Sequence, residues 1–282
     1  MTFKLYPDIK NFYQDCYPIY MIHEAQNMIP LGNLIMGYKG EDKFEWRDPV
    51  NWIMASVSDQ NGIRLCALMT PPHGLTLYAT NNEIDDEAIL CLIDGLKSAE
   101  IAVSGLMTEK ELALRFCKLL GVKYTITTEL RLYELTEVNK NLPKIGRLRK
   151  SNESDMHFLP YWVEGFSSDA WNKAYEVPSE LEKYLYSMKK FFIFEVDGTP
   201  VSMANSNKRL QTVFSIAGVY TPIYFRKKGY ATACVAELCR LLLNDGFTKA
   251  VLYTDLSNPT SNKIYMEIGF REVIDSLELK FE

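Results

Sequence analysis

The sequence lacks the usual means of holding a metal. Its six cysteines, at positions 16, 66, 91, 117, 234 and 239, include no Cys-x-x-Cys pair, and its three histidines, His23, His73 and His157, are widely scattered. That excludes thiolate zinc ribbons and argues against a His-based site, so no metal is expected. Cys234 and Cys239 lie five apart on one expected helix, too poorly aligned for a bridge. Core thiols in a reducing compartment are the simpler reading. Apolar runs of membrane-spanning length are also missing, and the start, MTFKLYPDIK, has no signal-peptide pattern. The expectation is a cytoplasmic protein that makes no use of a membrane. Positive charge is not in surplus either. With 31 basic and 36 acidic residues the net charge is -5, which counts against nucleic acid as a partner. No Walker-type Gly-Lys-Ser/Thr and no Rossmann glycine triplet occurs, which weakens a generic nucleotide-binding reading.

What is present is enough apolar material for real cores. Of 282 residues 47% are hydrophobic, and the length suits two domains of about 140. Along the chain, residues 3 to 7 read as a strand. Asp8 to Ile29 reads as mostly helix with a break at Pro18, and 30 to 50 as turn-rich. Trp52 to Val57 and Ile63 to Met69 flank Asp59-Gln60-Asn61-Gly62, a hairpin signal. Leu75 to Ala79 is a strand, Ile84 to Leu96 a helix and Ile101 to Leu106 a strand. Glu109 to Leu120 is a helix closed by Gly121, and Tyr124 to Leu135 supplies strands. Polar residues 136 to 146, with Pro143 and Gly146, read as a linker.

The order then repeats. A strand begins at Gly146 to Leu148. Helices are expected over Asp155 to Phe166 and Pro178 to Lys190. Phe191 to Val196 and Val201 to Ser206 form a hairpin about Asp197-Gly198. Next come a strand, Val213 to Val219, a helix, Thr232 to Leu243, a strand, Ala250 to Thr254, a short helix, Thr260 to Met266, and a closing strand from Arg271. "FCKLLGV" parallels "IYMEIGF", with Gly121 opposite Gly269. The division expected is a first domain over 1–138, a linker over 139–146 and a second domain over 147–282.

Within the second half, a buried strand feeds the turn Arg226-Lys227-Lys228-Gly229-Tyr230-Ala231-Thr232 and then a helix. The first amides of a helix have no internal partner and carry about half a positive charge, so such a turn can cradle a phosphate. Gly229 leaves room for close backbone approach. Three cations in an acidic chain point to one small anion rather than a polymer. Taken alone, the turn is equally well an ordinary solvated one. Likewise Asn258 in "YTDLSNPTSNKIYMEIGF" is a ready helix cap, and Tyr265 on the helix that follows is of a kind usually half-buried in a core. Tyr220-Thr221-Pro222 ends its strand at a proline, which frays pairing and opens a gap beside it.

Together these segments resemble the GNAT superfamily, the Gcn5-related N-acetyltransferases. The family's coenzyme A loop runs Arg or Gln, two residues, Gly, one residue, Gly or Ala, and is matched by Arg226, Gly229 and Ala231. "VYTP" and "YTDLSNPTSNKIYMEIGF" resemble the strand and the strand-loop-helix on either side of that loop and its helix. The resemblance implies an α/β (α+β) fold of two tandem GNAT-like domains, each with a mixed, mainly antiparallel central sheet flanked by helices. It implies acetyl-CoA as co-substrate. Backbone amides of 228 to 232 (Lys228, Gly229, Tyr230, Ala231, Thr232) would hold the pyrophosphate, with charge from Arg226, Lys227 and Lys228. Val219 and Thr221 would pair with the pantetheine arm, and an amide near Val219 or Tyr220 would bind the thioester carbonyl. Asn258 and Asn262 would line the arm, and Tyr265 would protonate the departing thiolate.

The first half departs from this pattern. Thr80-Asn81-Asn82-Glu83-Ile84-Asp85-Asp86-Glu87 has neither glycine nor cation, so that half reads as a degenerate copy, with Cys117 a core thiol opposite Tyr265. The expected acceptor is a primary amine of a small molecule. Trp162, Glu164, Asp169, Trp171 and Glu176 are open alternatives for its wall, Trp171 and Glu176 being singled out; a surface helix with aromatic anchors explains them equally well. Glu195 and Glu237 stay open as a general base, and a homodimer is left open. A non-catalytic acyl-CoA-binding or regulatory protein is the alternative from another class.

Overall fold

The computed structural model describes residues 1–40, 48–171, 191–206 and 210–282. The chain divides into two compact units. The first comprises Met1–Leu132, Thr254–Ser257 and Val273–Glu282, the second Tyr133–Tyr253 and Asn258–Glu272. The chain's last strand therefore falls in the first unit, whereas the sequence reading put 147–282 in one domain.

In the first unit, β1 (Thr2–Leu5) leads into helix α1 (Ile9–Tyr20) and helix α2 (Met28–Lys39). Strands β2 (Ile53–Asp59), β3 (Gly62–Met69), β4 (Leu75–Ala79) and β5 (Gly105–Glu109) follow, with α3 (Asp86–Ser98) and α4 (Lys110–Leu120) on either side of β5 in sequence, and β6 (Tyr124–Leu135) comes after α4 as one long strand. β1, β2, β3 and β4 pair antiparallel in that order, and β4 pairs β5 in parallel. The far side of β5 is taken by β13 (Arg271–Phe281), antiparallel from Ser276↔Glu109 to Lys280↔Gly105. That ladder is the reason the C-terminal strand belongs to this unit. Gly105 permits the pairing, since a Cβ there would stand 2.0 Å from the carbonyl oxygen of Leu279. The core is made where the apolar stripes of α3 (Ile89, Leu92, Ile93, Leu96) and α4 (Leu112, Ala113, Phe116) meet the strands.

The expected hairpin about Asn61-Gly62 forms, with Asp59 accepting the Asn61 amide at 2.7 Å. Helix α2 was not expected over a stretch read as turn-rich. Its Pro30 lies in the first turn, where a missing N–H costs nothing. Gly37 is used for close packing, because a Cβ there would meet Ile9 and Trp52 below 3 Å.

In the second unit, β7 (Arg147–Lys150), β8 (Phe191–Val196), β9 (Thr199–Asn205) and β11 (Ala217–Tyr220) form one antiparallel sheet in the order β11-β9-β8-β7. Another ladder joins β10 (Val213–Ser215) in parallel to β12 (Lys249–Asp255). Helix α5 (Leu159–Trp171) packs on β11. Helix α6 (Tyr230–Asn244) packs on β9 and on helix α7 (Pro259–Ile268). Alternate strand residues divide between two cores: Phe192, Phe194 and Ala204 join α6, and Phe191, Ile193 and Met203 join Leu159 of α5. The helix expected from Asp155 begins instead as a short 3-10 turn, Glu153–His157, because Asn152 and Asp155 form a capping box. The helix expected over Pro178 to Lys190 lies outside the described residues. Both units thus have mixed, mainly antiparallel sheets flanked by helices, as the sequence implied.

Candidate active site

The strand expected over Val213 to Val219 is two strands. Val213, Phe214 and Ser215 pair with Lys249, Ala250 and Val251, and the Ile216 amide donates to the Val251 carbonyl at 2.8 Å. From Ala217 the backbone turns to β9 instead, pairing Ala217 with Asn205 and Tyr220 with Met203. β12 runs on past Val251, so the two strands part at Ile216 and leave a gap beside Ala217–Tyr220.

Between the two β9 pairings, three steps on β11 oppose two on β9, which is a β-bulge. Gly218 stands there with φ +58, a conformation costly for any residue with a Cβ. A bulge takes a residue out of the ladder and re-aims its backbone, which is what an amide meant for a ligand carbonyl requires. The sequence reading placed such an amide near Val219 or Tyr220 but did not single out Gly218. A lone glycine inside a strand was the available signal.

Beyond the bulge the backbone is pinned. Ser202 Oγ donates to the Tyr220 carbonyl at 3.0 Å, and Thr221 Oγ1 lies 2.9 Å from Ser202 Oγ. The Tyr220 ring packs toward Trp162 of α5, and Gly165 makes room for it, since a Cβ there would fall 2.3 Å from the Tyr220 hydroxyl. Pro222 then starts a 3-10 turn, Ile223–Phe225, that delivers the basic loop.

Gly229 is the N-cap of α6 with φ +76, and no side chain caps that helix. Its leading amides therefore keep their capacity for an external acceptor. A Cβ at Gly229 would meet nothing within 4 Å, so the approach is open. Lys227 also takes the left-handed region, at φ +60, and Lys227 and Lys228 are exposed. Arg226, expected to add charge for the phosphate, is engaged within the chain. Its Nε donates to the Thr221 carbonyl at 2.8 Å, its guanidinium pairs with Asp169, and it lies over the Tyr220 ring. Tyr230, Ala231 and Thr232 form the first turn of α6, and Tyr230 packs on the core.

Asn258 caps α7, accepting the Ser261 amide at 3.0 Å, which is the ordinary role open to it in sequence. Asn262 Nδ2 donates to the Asn258 carbonyl at 2.7 Å, and its Oδ1 accepts from the Tyr133 hydroxyl at 3.1 Å. Tyr265 is 9% exposed and lies between the rings of Tyr133 and Phe270. Burial, reinforced by Cys239, pushes its hydroxyl well above the ordinary tyrosine range. It is protonated at any neutral pH.

Other candidate residues have surroundings of their own. Glu195 is buried and held by Arg149 at 2.6 Å and Arg147 at 2.9 Å. Burial alone would raise its pKa; the arginine hydrogen bonds outweigh it and hold the carboxyl below the usual range. A carboxylate so engaged is a poor base. Glu237 pairs with Arg240 at 2.6 Å on α6. Glu176 and the side chain of Trp171 lie outside the described residues. Cys234 and Cys239 are buried core thiols, Cys234 pushed up to about 12 by burial. The described residues contain no cluster of His, Cys, Asp or Glu suited to a metal ion, and none of their helices is long and apolar enough to cross a membrane.

The first unit has no comparable cradle at the helix after β4. Asp85 is the N-cap of α3 and accepts the Glu87 amide at 2.9 Å, so a carboxylate of the chain already occupies that helix start. Asp86 and Glu87 add negative charge in its first turn. Cys117 is buried, its thiol pushed up to about 11, a core residue as expected.

Residues 158–270 match the model of the acetyltransferase (GNAT) family. The match is to a family whose activity is acyl transfer, and it covers 113 of the 282 residues. Similar solved structures extend the likeness in fold over the whole chain. An acetyltransferase from the GNAT family of Colwellia psychrerythraea superposes with a TM-score of 0.64 at 14% identity, covering 100% of both chains. A GCN5-related N-acetyltransferase from Sphaerobacter thermophilus gives 0.63 at 13%, covering 99% of this chain and 95% of its own. A tandem GNAT protein from the clavulanic acid biosynthesis pathway gives 0.56 at 10%, covering 100% and 98%. The sequence matches none of the curated proteins. The tandem GNAT fold expected from the motifs is thereby borne out.

Proposed function

We propose that the second unit transfers an acetyl group from acetyl-CoA to the primary amine of a small molecule by direct attack. The observation that carries this reading is the parting of β10–β11 from β12 at Ile216, followed by a helix whose start no side chain caps, at Gly229. The leading amides of α6 would hold the pyrophosphate, with Lys227 and Lys228 adding charge. The backbone of Val219 and Thr221 would pair with the pantetheine arm. An amide at the Gly218 bulge would polarise the thioester carbonyl and bear its developing negative charge. Tyr265, kept protonated by burial, would donate to the leaving sulfur. This reading gives nucleic acid, membrane and metal no part, and it is neutral on a homodimer.

Thiol release from acetyl-CoA over a panel of amines, wild type against Gly229→Glu, tests the proposal. Loss of activity on placing a carboxylate in the cradle is expected, and equal activity in the two proteins would end it. The alternative, a non-catalytic acyl-CoA-binding protein, draws on the burial of Tyr265 and the engagement of both ends of the Asn262 amide. Coenzyme binding by calorimetry beside no transfer to any amine would favour it.

A further inference from the structure

Buried side-chain polar atoms normally find a hydrogen-bond partner, and exceptions ask for a reason. Among the described residues of the second unit there are two such exceptions, and they are adjacent: Asn205 Oδ1 and Ser206 Oγ, at the end of β9. Both residues are more than nine-tenths buried, at 9% and 3% exposure. Their place in the fold is specific. Asn205 is the cross-strand partner of Ala217, the residue just before the bulge. A Cβ on Gly218 would stand 3.5 Å from the Asn205 Cβ, so Asn205 and the bulged residue share one face. Phe191 lies on the same side, its ring 3.9 Å from that position. That 3.5 Å approach sets the Asn205 side chain against the bulged residue, on whose other edge the slot lies.

We infer that Asn205 forms the acceptor subsite, its Oδ1 taking an N–H of the incoming amine and directing the nitrogen lone pair at the acyl carbon. This rests on the proposed transferase reading. The chemistry of the group also narrows the acceptor. A buried neutral carbonyl oxygen accepts from an uncharged amine but does little to offset the desolvation of an ammonium ion, as a carboxylate would. Glu195 and Asp169 are each taken by arginine, and Glu164 is exposed on α5. The subsite therefore suits a weakly basic amine with a sizeable uncharged fraction near neutral pH, such as an α-amino group with pKa about 8, over an alkylamine near 10. In the transfer, the amine nitrogen forms a bond to the acyl carbon, the carbon–sulfur bond breaks, the thiolate takes a proton, and the ammonium proton leaves to solvent.

The test compares wild type with Asn205→Leu, which keeps the volume and removes the oxygen. Three quantities are read: kcat/KM for an amino-acid amide and for n-butylamine as acceptors, the Kd of acetyl-CoA by calorimetry, and Tm. Wild type is expected to prefer the amino-acid amide at about pH 7, with the preference shrinking once each rate is divided by the uncharged fraction of its amine. Asn205→Leu is expected to lower kcat/KM for that amine at least tenfold, with acetyl-CoA affinity within twofold and Tm unchanged or raised. Asn205→Ala gives the same readings should leucine disturb folding. Retained amine kcat/KM overturns the inference, as does parallel loss of acetyl-CoA binding, which marks a structural role. Failure of the transferase reading itself gives a different pattern: wild type that binds acetyl-CoA and turns over no amine.

Discussion

Arg226 donates through Nε to the carbonyl of Thr221 at 2.8 Å, so the arginine of the basic turn braces the strand that enters it. Its remaining fork pairs with Asp169, and its face lies over Tyr220. Arg226→Ala should weaken acetyl-CoA binding several-fold in calorimetry by loosening the loop. The pair is exposed, so stability should fall by no more than about 1 kcal/mol. Arg226→Lys should restore little, because an ammonium cannot hold carbonyl and carboxylate in one plane.

Gly229→Ala isolates backbone strain from charge. At φ +76 an alanine is disfavoured by about 1 kcal/mol, although its methyl has open space around it. Urea unfolding should show a loss of that size. A gain in stability would mean that the loop relaxes out of the left-handed conformation.

Asp85→Ala should cost about 1 kcal/mol through loss of the α3 cap. Acetyl-CoA affinity should not change, because the first unit is read as taking no coenzyme. A drop in affinity measured by calorimetry would contradict that assignment.

Acid should unfold the second unit through one buried network. Arg149 joins Asp155 and Glu195, each at 2.6 Å. Burial would raise both carboxyls; for Asp155 the Arg149 hydrogen bonds and the Asn152 amide outweigh it, and for Glu195 the Arg149 and Arg147 hydrogen bonds do, so both lie below the usual range. Folded pKa values below the unfolded ones mean that this stability is fully present above about pH 4 to 5 and is lost as pH falls through the folded values. Tm should therefore fall steeply below pH 4. Asp155→Ala should cost about 3 kcal/mol at pH 7, leaving Arg149 without its main partner, and should flatten the acid limb.

Tyr265→Phe should lower kcat by about 10²–10⁴ with little change in acetyl-CoA Kd, as for loss of a general acid. Because burial holds the hydroxyl well above its ordinary value, the wild-type rate should show no descending limb from this group up to pH 10. A pH-rate profile that breaks near 9 would assign the proton to another residue.

The hairpins and helix ends were legible because local chemistry decides them. Asn61-Gly62 and Asp197-Gly198 turn the chain, and Gly121 and Gly269 close helices in the left-handed region. Helix α2 was not, since Pro30, Gly32 and Gly37 argue against a helix when their neighbours are unknown. At the candidate site, the glycine turn into α6 could be read from residue spacing, as one short segment carries it. The division of Val213–Tyr220 between two ladders could not, because it depends on partners 12 to 17 residues upstream and 36 downstream. The same holds for Ser202, Asn205 and the second task of Arg226. Placing the last strand in the second domain failed for a related reason, as its alternating pattern fits either sheet and the choice lies with β5.

A chain that changes ladders at Ile216 has both of its halves held by hydrogen bonds, so the slot beside Ala217–Tyr220 is a fixture of the backbone and not a loop that must swing aside. An extended arm settling there displaces solvent but no protein pairing. Little ordering entropy is then demanded of the protein when an extended ligand associates there.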